Sequence, residues 1–234
     1  MPDNVLEVKN LKVSFGKSKV LTGVSFDVQR GESLAIIGPN GSGKSVLFRA
    51  LIGSLPYAGE IVWGEGTRVG YVPQRIDIDR NLPLTLRDFL LTKSQLMKGG
   101  DEIGKFLNLV KLSPELLDRK LGHLSGGQLQ RALIAFALIG DPNVLLFDEP
   151  TAGVDIPREE QIYDTIHRLQ DEKGLTVILV SHDLSLVYSH STKVLCLNQS
   201  VVCYGTPHHV LNQENLHHLY GERVLYHHHH HDRG

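Results

Sequence analysis

Between the apolar run Leu34 to Ile37 and the helix-like stretch Val46 to Ile52 stands Gly38-Pro39-Asn40-Gly41-Ser42-Gly43-Lys44-Ser45. The pattern G-x-x-x-x-G-K-[ST], with a strand before it and a helix after it, is the phosphate-binding P-loop. Its glycines let the backbone bend so that successive amide N–H groups line a nest, and the helix start adds positive potential for a polyphosphate. Lys44 supplies a mobile charge for the outer phosphates, and the Ser45 hydroxyl is placed to complete a magnesium site. Val46, the next residue, is counted with the nucleotide site. A Gly-rich turn that merely ends in Lys-Ser would not need both flanks. The loop predicts a bound nucleotide and leaves its use open.

A chain of 234 residues is long enough to bury a good core. With 24 Lys and Arg against 26 Asp and Glu, and no basic block, nothing points to a nucleic-acid partner. The longest apolar runs, around Ala132 to Ile139 and Val144 to Phe147, are core-sized and too short to cross a bilayer. A membrane role is therefore expected through a partner chain. Met1-Pro2-Asp3-Asn4 lacks the basic and apolar regions of a signal peptide, which predicts the cytosol. There a structural disulfide between Cys196 and Cys203 is not expected. If Gln199-Ser200 is the tip of a two-residue hairpin, the two cysteines sit opposite each other. Two small residues packed in a sheet is then the favoured reading, with a redox or metal role left open.

Taken in order, Leu6 to Phe15 and Val20 to Val28 read as antiparallel strands leading to the P-loop strand. Glu60 to Trp63 reads as a short exposed strand and Arg68 to Val72 as another, ending at Pro73-Gln74. From Leu84 to Leu138 the signal is helical, which predicts a helical unit inserted into the sheet domain. Val144 to Phe147 and Thr176 to Val180 are continuous apolar runs, as in strands buried on both faces of a parallel sheet, with a helix from about Arg158 to Glu172 between them. The fold class is α/β: a nucleotide-binding core with a mostly parallel sheet, an antiparallel β subdomain and an inserted α-helical subdomain. Expected boundaries within this single domain are 1–74 and 141–207 for the core, 75–140 for the helical part and 208–234 for a histidine-rich C-terminal tail.

The polar residues past the strand ends carry the chemistry, because open α/β sheets bind ligands there. Asp148 and Glu149 are adjacent carboxylates ending one buried strand, and His182 follows the next. In a P-loop fold such an aspartate holds magnesium beside Ser45, and Glu149 is placed to polarise or orient a water. Phosphoryl transfer has a loose transition state, so positioning and charge neutralisation dominate. Leu124-Ser125-Gly126-Gly127-Gln128 contains an S-x-x-Q capping box, with two glycines baring the backbone at the start of the helix Leu129 to Ile139. Such a helix start suits an anion.

This Leu-Ser-Gly-Gly-Gln run, shortly before an Asp-Glu strand end in a chain with a P-loop, resembles the signature of ABC-transporter ATPases, and the resemblance covers essentially the whole chain. It implies ATP and Mg2+ as ligands. It also implies roles by position. Gln74 matches the Q-loop glutamine that touches magnesium. Asp148 matches the magnesium aspartate, Glu149 the catalytic glutamate, Asp155 the D-loop aspartate and His182 the switch histidine. Phe15 sits where the family usually has a tyrosine stacked on adenine, although its alternation with Leu11 and Val13 equally suits a core residue. In the family the signature serves ATP held by a second subunit, so Ser125 to Gln128 would complete the site of another copy in a head-to-tail homodimer.

Asn81-Leu82-Pro83-Leu84-Thr85, Val180 to Leu184, Val194 to Asn198 and Gly205-Thr206-Pro207, in that order, are similar to the ATPase subunits of zinc and manganese uptake systems. The resemblance thus implies ATP hydrolysis energising import of a divalent metal, zinc first and manganese or iron next. It implies two membrane permease subunits, an extracytoplasmic metal-binding protein, and a place on the cytoplasmic face of the membrane. The alternatives are another cargo or a soluble, non-transport ABC ATPase. Nine of the thirteen histidines follow Pro207. The run His227, His228, His229, His230 and His231 reads either as a zinc-holding tract or as a purification tag.

Overall fold

The computed structural model describes residues 4–74, 76, 78–96, 103–149 and 156–221, with the backbone alone for 156–162. Asp155 and His227 to His231 lie outside the described residues.

Two sheets organise the chain. Strands β1 (Asn4–Phe15) and β2 (Ser18–Gln29) form a long antiparallel hairpin, and β4 (Ala58–Trp63) pairs with the other edge of β1. The larger sheet has six strands in the order β5-β6-β7-β3-β8-β9. Its members are β5 (Val69–Val72), β6 (Val144–Asp148), β7 (Thr176–Val180), β3 (Ser33–Ile37), β8 (Lys193–Asn198) and β9 (Ser200–Gly205). All pair in parallel except β8 with β9. Strands β3, β6 and β7 are buried at every position, which explains why they read as unbroken apolar runs.

Side chains alternate across a strand, so the central sheet feeds two cores. Leu34, Ile36, Val144, Leu146, Ile178 and Val180 face the antiparallel sheet and Leu47 and Phe48 of α1 (Lys44–Leu51). Ala35, Ile37, Leu145, Phe147, Val177 and Leu179 face the other way, in one apolar cluster with Leu86, Leu90, Phe106, Leu107, Ala132 and Leu133. Those residues belong to α2 (Leu86–Leu96), α3 (Ile103–Leu109) and α4 (Gly126–Leu138). The helical insertion therefore shares its core with the sheet. Lys93 of α2 donates to the carbonyls of Phe136 and Ala137 at 2.9 and 3.0 Å, a cation on the last turn of α4.

Between β6 and β7 runs α5 (Ile156–Lys173), and α6 (Leu184–His190) follows β7. The stretch after Pro207 departs from a tail. It begins as α7 (Pro207–Val210) and α8 (Gln213–Tyr220), which bury Val210, Leu216 and Leu219 against the sheet's helical face. Apolar spacing within a histidine-rich stretch hid this folding. The hairpin between β8 and β9 is tighter than a two-residue turn: Asn198 pairs with Ser200 and Gln199 alone forms the tip at φ 60°. A register shift after Cys196 restores the pairing of Cys196 with Cys203. The structure joins these two as a disulfide with a Cα–Cα distance of 4.8 Å, which corrects the expectation of two unlinked packed thiols. That expectation rested on the redox environment, whereas the register brings the residues within bridging range. Among the described residues no helix is long and apolar enough to cross a membrane.

Candidate functional site

Strand order assembles the site. The P-loop follows β3, Ser181-His182 follows β7, Asp148-Glu149 ends β6 and Gln74 follows β5. Because the sheet runs β5-β6-β7-β3, the carboxyl ends of neighbouring parallel strands carry these residues to one edge. They meet in an open cleft of about 720 Å³ lined by Val20, Asn40, Gly41, Gly43, Lys44, Ser45, Val46, Gln74, Glu149 and His182.

The P-loop is held from two sides. A Cβ at Gly38 would lie 2.1 Å from the Leu197 carbonyl oxygen, so glycine alone fits between β3 and the β8–β9 hairpin. At the hairpin tip the Gln199 N–H donates to the Ser42 carbonyl at 2.9 Å. On the other side Gly43, at φ 103°, lies so near Leu21 that a Cβ would come within 2.6 Å of Cδ2. Lys44 is folded onto its own loop and donates to the carbonyls of Gly38 and Pro39 at 2.9 and 3.1 Å. Burial pulls its ammonium below the ordinary lysine value, against the opposing pull of Glu149 and Asp148. The Ser42 Oγ is buried without a hydrogen-bond partner among the described residues. An orphaned hydroxyl inside a nest of N–H groups fits a loop whose partner is an anion from solution.

Ser45 donates to Asp148 Oδ1 at 3.3 Å, across 103 residues of chain. Tyr71 approaches the other Asp148 oxygen at 3.5 Å, and burial pushes its hydroxyl up to about 12. Burial, then the charge of Glu149, raises the Asp148 carboxyl above the usual range. Two carboxylates so placed need a cation. A hydroxyl, a carboxylate and the side-chain amide of Gln74 make the hard oxygen set that magnesium takes.

Glu149 is the hub. Gln74 donates to its Oε2, and His182 Nε2 lies 2.7 Å from its Oε1. Its backbone sits at φ 49°, a left-handed conformation that costs a non-glycine residue on the order of 1–3 kcal/mol and is concentrated at functional sites.

Not every expected residue reaches this cleft. Phe15 stands 51 % exposed at the β1–β2 turn, outside the core that its alternation also suited, while Val20 supplies an apolar wall. Val20 is the third residue of β2 and carried no motif; only the packing of β2 against Gly43 reveals it. Leu124 to Gln128 lie at the start of α4, outside the cleft lining, with Ser125 and Gly126 exposed. The capping box forms as expected: Ser125 Oγ accepts from Gln128 N–H at 3.3 Å, and Gln128 Oε1 accepts from Ser125 N–H at 3.0 Å.

Glycine nest, paired carboxylates and strand order define the class, a P-loop nucleoside triphosphatase. The profile of the ABC transporter family matches residues 21–152, more than half of the chain. The zinc import ATP-binding protein ZnuC of Wigglesworthia glossinidia brevipalpis is 36% identical over 97% of this chain and 99% of its own length. ZnuC of Cereibacter sphaeroides is 43% identical over 93% and 88%. Among solved structures, an inward-facing metal-chelate type ABC transporter superposes with a TM-score of 0.84 at 27% identity, over 93% of this chain and 89% of that one. The ADP conformation of MJ1267, an ATP-binding cassette of an ABC transporter, gives 0.78 at 26% identity, over 93% and 98%. The chain belongs to the ABC transporter family, as an ATP-binding subunit that hydrolyses ATP with magnesium.

Proposed function

We propose that this subunit powers uptake of zinc through separate membrane permease subunits, on the cytoplasmic side of the membrane. The hub at Glu149, gripped by Gln74 and His182 beside the P-loop, carries the catalytic part of the reading. Zinc as cargo is supported by the zinc import relatives, which match this chain over nearly its whole length.

In this reading the polyphosphate lies over the N–H groups of residues 38–45, and Lys44 exchanges its two carbonyl partners for the outer phosphates. Ser45, Asp148 and Gln74 hold magnesium, which neutralises charge on the phosphates. Glu149 orients the attacking water, and Gln74 and His182 fix the rotamer of its carboxylate. His182 also reaches the terminal phosphate. Phe15 and Val20 supply apolar surface for the base, and Val46 follows the cradle. The signature Leu124 to Gln128, outside the cleft lining of its own chain with Ser125 and Gly126 exposed, closes on the nucleotide of a second copy, and Asp155 serves as the D-loop aspartate. The surface from Gln74 to Leu90 receives the permease, and an extracytoplasmic metal-binding protein delivers the ion. The run His227 to His231 serves as a zinc-holding tract.

Reconstitution with the permease in vesicles tests the cargo. ATP-dependent accumulation of zinc, abolished by Glu149→Gln, is the expected result. Preferential movement of manganese or iron overturns zinc as the substrate, and no ATP-dependent movement of any divalent ion overturns metal import.

A further inference from the structure

Behind the nucleotide cleft, α5 and α6 bring two imidazoles together. The rings of His167 and His190 lie 4.6 Å apart between centres, with planes tilted by 56°. Tyr163, one turn before His167 on α5, also stacks on His190, at 5.7 Å and 22°. Among the described residues, the buried His167 Nε2 has no hydrogen-bond partner, and neither has the Ser191 Oγ next to His190. Buried polar atoms nearly always have partners, and an orphaned imidazole nitrogen on a ring packed against a second imidazole marks a place where something from solution completes the bonding. Asp164, exposed and three residues before His167 on the same helical face, is within electrostatic reach of His190.

The dimensions suit a metal ion. Two imidazoles bound to one tetrahedral zinc at a Zn–N distance of about 2.0–2.1 Å have ring centres about 5 Å apart. The observed separation needs a shift of only a fraction of an ångström. Imidazole selects zinc and its first-row neighbours over magnesium and calcium. Among the described residues no three ready-made ligands converge, so two positions here are preset and the rest fall to Asp164 and water.

We propose that His167 and His190, with Asp164 on the open side, form a binding site for a zinc-class divalent ion, distinct from the nucleotide cleft and able to act on it. The route is short. Tyr163 donates its hydroxyl to Ser181 Oγ at 3.1 Å, and Ser181 Oγ also accepts from the Asp183 N–H at 3.1 Å. These contacts bracket His182 on both sides. An ion that resets the spacing of α5 and α6 moves the turn that presents His182 to Glu149, and so slows hydrolysis. The site follows from these residues whatever the cargo of the transporter is.

Zinc chloride titrated into the full chain, with bound metal counted after equilibrium dialysis, tests the site. His190→Ala and His167→Ala should each remove one ion or weaken its binding by about tenfold or more, the scale on which zinc ligation responds to losing even an outer partner. The double variant should remove no second ion. Equal stoichiometry and affinity in all four proteins overturns the site. Should an alanine variant fold poorly, 15N-histidine spectra of the unaltered chain decide the matter. Resonances of His167 and His190 moving together during the zinc titration support the site, and their staying fixed after the other histidines have saturated overturns it. Zinc should lower ATPase turnover severalfold in the unaltered chain and less in His190→Ala. The same inhibition in both overturns the coupling to His182.

Discussion

His182 Nε2 and Glu149 Oε1 lie 2.7 Å apart, although 33 residues and a whole helix separate them in the chain. The histidine is 44 % exposed and the glutamate 16 %, so the pair faces the cleft with the carboxylate on the inner side. A carboxylate held by two donors is oriented before any substrate arrives, and orientation is what phosphoryl transfer asks of a protein.

Glu149→Gln keeps the shape of this hub and removes its capacity to take a proton. Steady-state ATPase activity should fall by about two to three orders of magnitude, within the usual worth of a general base, while ATP binding survives. Light scattering with ATP should then show dimers accumulating. Unchanged turnover would remove Glu149 from the reaction.

Gly38→Ala would place a methyl carbon 2.1 Å from the Leu197 carbonyl oxygen, against backbone that cannot rotate away. Overpacking of this kind costs about 1–3 kcal/mol. The expected outcome is a lower Tm together with loss of nucleotide binding, because relief of the clash moves the loop itself.

Lys93 gives a signed pH dependence. Burial lowers its ammonium from 10.5 to about 8. Between about pH 8 and 10.5 the unfolded chain holds this proton and the folded chain does not, so stability attributable to Lys93 rises with pH across that window. The difference in Tm between the native chain and Lys93→Met should move in favour of the native chain as pH is raised from about 7 to about 9.5. A constant difference would show that the lysine does not titrate where burial places it.

Phe15→Ala should weaken ATP binding about three- to tenfold, the equivalent of a stacking contact of about 0.5–1.5 kcal/mol, with little change in turnover at saturating ATP. Nucleotide affinity measured by fluorescence checks it. No change would leave the base to Val20 and a partner surface.

What the sequence settled by itself lies in contiguous residues. The P-loop, the Asp148-Glu149 strand end and the Ser125–Gln128 capping box each need only a local backbone shape that their own residues dictate. The apolar runs at 34–37, 144–147 and 176–180 also announced a parallel sheet, because burial on both faces leaves no polar alternation. Strand order was not legible. It decides that Gln74, Glu149 and His182 meet, that Ser45 reaches Asp148, and that the β8–β9 hairpin braces Gly38 and Ser42. The same holds for the disulfide itself, although the opposed placement of Cys196 and Cys203 was legible, and for α7 and α8, whose few apolar residues were masked by histidines. These features depend on packing between segments far apart in the chain, and local residue pattern carries no information about which distant surface a segment will cover.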